Sequence, residues 1–264
     1  MSETSRRNLL AAAGAVATGV IMDAAPAAAS TEATKPIFAI PAISIPIVGQ
    51  ATVFPVRRIY CIGRNYAAHA IERGSDPTRE PPFFFQKPAD AIQFVAIGSV
   101  GDHPYPSLTK NYHHEIELVA ALKSGGRNIP ADQALEHVYG YAVGLDMTRR
   151  DLQREMGDQK KPWEIGKSFD HSAPIGPIHP VATVGHLQKG TISLAVNDKV
   201  RQKADLSQMI WSVAEQIAQL STAFELAAGD IIYSGTPENV GAVVKGDVLL
   251  AKLEGLPDVS IKIV

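Results

Sequence analysis

The chain has 264 residues, 25 Lys and Arg against 27 Asp and Glu, 45% hydrophobic residues and a single cysteine. That balance excludes a disordered tail protein, a disulfide scaffold and a polybasic nucleic-acid binder, and a formal net charge of -2 sets up no field that would seek phosphate backbones or anionic membranes. A small-molecule site is the expectation that remains, in a chain long enough to bury roughly 70–75% of its unfolded surface, so that a metal would be functional rather than structural.

In chain order, Ser5-Arg6-Arg7-Asn8-Leu9-Leu10 opens an Ala/Gly-rich apolar run to Met22, followed by the small residues Ala27-Ala28-Ala29. This pattern resembles a twin-arginine export leader over residues 1–29. The run is interrupted by Gly14 and Gly19 and falls short of the ~20 strongly apolar residues of a membrane span. Cleavage is therefore expected, giving a periplasmic protein with no stable membrane association; the other reading is a cytoplasmic protein with an N-terminal extension. Residues 30–56, with Pro36, Pro41 and Pro46, read as an extended arm or small subdomain.

From Arg57 to the end, apolar stretches alternate with Gly, Pro and Asp, which predicts a mainly β body with some helix, an α+β domain over residues 57–264. The expected strands are Ile59–Ile62, Phe83–Phe85, Ile116–Leu122, Tyr139–Leu145, Ile192–Val196, Ile231–Tyr233, Val248–Leu253 and Val259–Val264. Two helices are expected. One runs from Tyr66 to Arg73 and stops at Gly74; the other runs from Ser207 to Phe224, with Asp205 or Ser207 as its N-cap. Cys61, between Tyr60 and Ile62, reads as a buried thiol with no partner for an intrachain disulfide. There is no dinucleotide fingerprint, P-loop or C-x-x-C.

Several residues are candidates for chemistry. His69 and Glu72 share a face of the first helix, a spacing that suits a carboxylate-supported general base, or else a solvated surface pair. On a strand, Glu115 and Glu117 point to one side; they are either oxygen ligands for Mg²⁺ or Mn²⁺, with Ca²⁺ admissible, or the wet side of an edge strand. Asp146, where a strand runs into a polar loop, is a third carboxylate for that cation or the N-cap of a helix over residues 147–155. Lys87 and Lys167 lie among turn residues and suit a substrate carboxylate or an oxyanion. The Gly235–Gly241 loop offers backbone N–H groups and the Thr236 hydroxyl to an anion, or is an ordinary turn.

Taken together, Cys61-Ile62-Gly63-Arg64-Asn65-Tyr66 with His69 and Glu72, His114-Glu115-Ile116-Glu117-Leu118, Asp146 through Asp151, Gly166-Lys167-Ser168-Phe169-Asp170 and Gly229-Asp230 through Pro237 resemble the fumarylacetoacetate hydrolase family over residues 55–264. The stretches Pro81–Ala91 and Gly144–Leu152 look closest to its fumarylpyruvate- and acylpyruvate-hydrolysing branch. The resemblance implies a mixed β-sandwich roll, usually a homodimer, with Mg²⁺ or Mn²⁺ on Glu115, Glu117 and Asp146. It implies a water-activating dyad of His69 and Glu72 on a lid, Lys167 as a polar stabiliser in the active site, and substrate contacts from Arg150, Gln153 and Thr236, with Arg150 suited to a distal carboxylate. The implied reaction is hydrolytic C–C cleavage of a 2,4-dioxo acid such as fumarylpyruvate. Oxaloacetate decarboxylation and keto-enol tautomerisation are alternatives, and a non-catalytic periplasmic 2-oxo acid binding protein is a reading from another class.

Overall fold

The strand Ile116–Leu122 is buried along its whole length in the computed structural model, which describes residues 36–72 and 80–264. It lies antiparallel between Val138–Leu145 and Asp230–Tyr233 in an eight-stranded sheet. On one side this sheet continues through Arg58–Ile62, parallel to Asp230–Tyr233, to Phe84–Lys87; on the other it reaches Ala173–Ile175 and Ile92–Phe94. The two-residue period sorts the side chains between two cores. Ile116, Leu118, Ala120 and Leu122 enter one with Tyr60, Val143 and Ile232, while Val119 and Ala121 enter the other with Ile59, Cys61, Ile231 and Tyr233.

A second, five-stranded sheet closes the first core. Its order is Lys199–Asp205, Thr191–Val196, Val248–Leu253, Val259–Ile263 and Val100–His103, and it contributes Leu194, Ala251 and Ile261. The helix Val213–Ala223 adds Val213, Ile217 and Leu220, and full burial of each such aliphatic side chain is worth about 1.5–3 kcal/mol. The second core receives Ile45 and Phe54 from the hairpin Ser44–Pro46 and Val53–Pro55. Sheet packed on sheet, with few helices, is the mainly β, α+β body that the strand spacing predicts and the sandwich that the resemblance implies.

Three local expectations are corrected. The helix expected from Ser207 to Phe224 is instead a 3-10 turn at Leu206–Gln208, capped by Asp205, and a separate helix starting at Val213, capped by Ser212 with Glu215 in a capping box. Asn65 enforces the break: its Oδ1 accepts from the Trp211 N–H at 2.8 Å, its carbonyl from the Ile210 N–H at 2.8 Å, and its amide donates to the Trp211 carbonyl at 2.9 Å. Asp146 caps no helix, because Thr148–Arg149 forms a short strand and the helix begins at Arg150. Glu115 and Glu117 are not on a solvated edge; both are buried beside the sheet's central strand. The first helix spans Ala67–Glu72; its expected stop at Gly74 and the expected leader lie outside the described residues.

Candidate active site

The site forms where the central sheet meets a small three-stranded sheet. In the small sheet, Tyr112–His114 pairs antiparallel with Thr148–Arg149 on one side and with Gly241–Val243 on the other. Each strand therefore delivers a site residue at its end: Glu115 follows His114, Arg150 follows Arg149, and the Thr236 loop precedes Gly241. Glu115 and Glu117 lie on the same side of the central strand as Val119 and Ala121. Asp146 stands opposite Glu115, its N–H donating to the Glu115 carbonyl at 2.8 Å.

The three carboxylates are buried, and one ligating oxygen from each lies within 4.8 Å of the others. Three cations surround them. Lys167 Nζ is 2.8 Å from Glu115 Oε2, 2.6 Å from Asp146 Oδ2 and 2.7 Å from Thr148 Oγ1, so all three of its hydrogens have protein acceptors. Arg150 is paired with Glu115 and also donates to Gln153 Oε1. Lys87 Nζ lies 2.8 Å from Asp146 Oδ1, yet out of line for a hydrogen bond, which leaves that buried oxygen without an aligned donor. Burial pushes Glu115 up, but the charges of Lys167 and Arg150 outweigh it and hold the carboxyl well below the usual range. Glu117 goes the other way: burial, then the charges of Asp146 and Glu115, push it well above that range, opposed by the Gly235 N–H that it accepts at 2.8 Å. An all-oxygen donor set, one oxygen lacking an aligned donor and a carboxylate that its neighbours disfavour as an anion together fit a hard divalent cation such as Mg²⁺ or Mn²⁺.

His69 and Glu72 meet on the Ala67–Glu72 helix, with His69 Nδ1 3.0 Å from Glu72 Oε2. Burial lowers the imidazole pKa from its ordinary value, against the upward pull of Glu115 and Glu72. Glu72 Oε2 also accepts from the Asn239 N–H at 3.2 Å, so the Gly235–Gly241 loop holds both the dyad and the triad. Gly235 has φ +100, and a Cβ there would lie 2.5 Å from the Asn65 Cβ, so only glycine presents that N–H to Glu117. The triad and His69 open into one cleft of about 370 Å³, lined also by Arg64, Phe83, Phe85, Gln153, Trp163 and Thr236. Phe83 and Phe85 stand edge-on to Trp163 at 5.5 and 6.0 Å between ring centres, forming an apolar wall opposite the charges.

All ten residues singled out from the sequence come to this neighbourhood. Eight line the cleft; Glu72 stands outside it, reaching it through His69, and Lys87 pairs with Asp146 from outside the lining. Sequence reasoning missed Gln202, the one buried residue of the otherwise polar strand Lys199–Asp205, whose amide reaches Thr236. A buried polar position in an exposed strand leaves no periodic signal. Thr148, the third acceptor of Lys167, was also missed.

The comparisons agree with this geometry. The family model described as fumarylacetoacetate (FAA) hydrolase C-terminal matches residues 58–264. A fumarylpyruvate hydrolase of a Ralstonia species is 41% identical over 191 residues, covering 72% of this chain and 97% of that protein. An oxaloacetate tautomerase of Escherichia coli is 37% identical over 212 residues, covering 78% and 93%. The crystal structure of fumarylpyruvate hydrolase from Pseudomonas aeruginosa in complex with Mn²⁺ and pyruvate matches with a TM-score of 0.86 at 57% identity, covering 87% of this chain and 99% of that one. With a family model spanning most of the chain and the family's carboxylates gathered in one cleft, the chain belongs to the fumarylacetoacetate hydrolase family.

Proposed function

We propose that the protein hydrolyses the C3–C4 bond of a 2,4-dioxo acid, with fumarylpyruvate, cleaved to fumarate and pyruvate, as the best substrate. The observation that carries this reading is that three buried carboxylates within 4.8 Å share one cleft with a buried histidine, His69, whose Nδ1 is held by Glu72. Glu115, Glu117 and Asp146 would hold Mg²⁺ or Mn²⁺, and the bound ion supplies Lewis-acid polarisation of the oxygens of a 2-oxo acid. The likeness to a fumarylpyruvate hydrolase seen with Mn²⁺ and pyruvate supports both the ion and the product.

The remaining chemistry falls to the chain's own groups. His69, with its lowered pKa, is neutral at pH 7 and takes a proton from water at Nε2, while Glu72 accepts the Nδ1–H and stabilises the imidazolium that forms. The hydroxide adds to C4. Collapse of the adduct breaks C3–C4, and C3 departs with the bonding electrons and is protonated to give pyruvate. Lys167, its hydrogens already committed, fixes Glu115 and Asp146 rather than reaching the substrate. Arg150 keeps part of its five-donor fork for a substrate carboxylate.

Charge selects among substrates. Lys87, Lys167 and Arg150 balance the three carboxylates, so a divalent ion leaves two positive charges in a buried site, which a dianion neutralises and a monoanion does not. Fumarylpyruvate and oxaloacetate are dianions; acetylpyruvate is not. The likeness to oxaloacetate tautomerases makes keto-enol exchange of oxaloacetate the second reading. Mn²⁺-loaded protein should be given all three acids, with product identification by NMR. Release of fumarate and pyruvate at the highest kcat/KM is expected. Tautomerisation of oxaloacetate with no cleavage of fumarylpyruvate would replace the first reading with the second, and binding without turnover would make the protein a 2-oxo acid binder.

A further inference from the structure

Gln202 is fully buried, and its amide meets four partners. Its Oε1 lies 3.2 Å from the Ile116 backbone N and 2.9 Å from His114 Nδ1; its Nε2 lies 2.9 Å from Thr236 Oγ1 and 2.8 Å from the Pro237 carbonyl oxygen. Two of these partners have one polarity only. The Ile116 N–H can only donate and the Pro237 carbonyl can only accept, so the amide cannot flip without losing both. Its Nε2 hydrogen therefore goes to Thr236, and the threonine hydroxyl must accept. Among the described residues Thr236 makes no other side-chain hydrogen bond. Its own hydrogen is left to donate, and Thr236 lines the cleft that holds the triad and His69.

We infer that Gln202 is a positioning residue that locks Thr236 as a hydrogen-bond donor to an anionic oxygen of the 2-oxo acid. The same amide ties the strand carrying Glu117 to the Thr236 loop from a strand of the other sheet, so the donor's orientation is set by the fold rather than by the ligand. Preorganising a neutral donor removes the alternative in which the hydroxyl offers a lone pair to a carboxylate, which is repulsive. This inference rests on the proposed 2-oxo acid site.

The discriminating variant is Gln202→Glu, which keeps the shape and still accepts from Ile116 and His114. It cannot donate, so Thr236 must turn its hydrogen toward the new carboxylate. A hydrogen bond to a charged group is worth about 1.5–3 kcal/mol, so the Kd for pyruvate on Mn²⁺-loaded protein, by calorimetry, should rise about 10- to 100-fold, with the loss in turnover falling on KM more than on kcat. Thr236→Val should show the same rise, and the double variant should be no worse than Thr236→Val alone, because both changes remove one donor. Gln202→Met, of similar length without a polar end, is the second variant and should show the same shift and the same lack of additivity. An unchanged Kd in either Gln202 variant, effects that add to those of Thr236→Val, or failure of both Gln202 variants to fold would make Gln202 a structural residue and overturn the inference. Failure of the wild-type protein to bind pyruvate would instead overturn the proposed function.

Discussion

His69 shows how far a single side chain depends on its setting. A base buried in the cleft wall stays neutral at lower pH than an exposed imidazole, and Glu72 stabilises its charged form only once a proton arrives. His69→Ala should lower kcat by about 10²- to 10⁴-fold with little change in metal affinity, checked by steady-state kinetics and a Mn²⁺ titration. In the wild type, log(kcat/KM) should fall on the acid side only below the ordinary histidine value, since that limb follows the lowered pKa; a limb above that value would remove His69 from the role of base. Glu117 yields an expectation of opposite character. A carboxyl whose folded-state pKa is raised keeps its full contribution to stability below its unfolded value and loses it as pH climbs toward the folded one. In excess chelator at pH 8, Glu117→Gln should therefore melt higher than the parent, by about 1–2 kcal/mol or about 2–8 °C, and the order should reverse with saturating Mn²⁺. Calorimetry with and without the ion reads both signs.

At the scale of elements, close approach decides the site. Gly166 lies against the backbone of the Arg150–Asp158 helix, where an added Cβ would stand 2.7 Å from the Gln153 N and 2.8 Å from its Cα. Gly166→Ala must push apart the two helices that carry Arg150, Gln153 and Lys167, at a cost of about 1–3 kcal/mol. Urea unfolding should show a lowered midpoint at unchanged slope, and kcat/KM should drop with it. The elements also show what was legible in the sequence. Ile116–Leu122 and Val248–Leu253 form with the bounds their apolar runs predict, because hydrophobic burial alone specifies them. The polar strand Lys199–Asp205 and the break before Val213 were not readable. The first is held by pairing to Thr191–Val196 and the second by Asn65, a residue 146 positions away from Trp211, and neither partner leaves a mark in the local sequence. For the site, residue type and order pointed to the carboxylates, but only the fold could show that Lys87, Lys167 and Arg150 would all pair with them.

For the whole molecule, the expected leader sets a test of location. Replacing Arg6 and Arg7 together with lysine keeps the charge and removes the address, so the double variant should accumulate in the cytoplasm with residues 1–29 attached, read by fractionation and intact mass. Undiminished periplasmic yield would refute the twin-arginine reading. The parallel seam between Arg58–Ile62 and Asp230–Tyr233 bears on how the protein comes into being. The strand Asp230–Tyr233, which sits between Arg58–Ile62 and the central Ile116–Leu122, leaves the ribosome after both of them, and with it comes the Gly235 N–H that steadies Glu117 across 118 positions. A nascent chain halted before Asp230 has a gap in its main sheet and lacks the Gly235 N–H on Glu117, so the cradle for the ion is complete only after that segment is made. Synthesis through Gly235 therefore sets the earliest moment at which the finished cradle can exist.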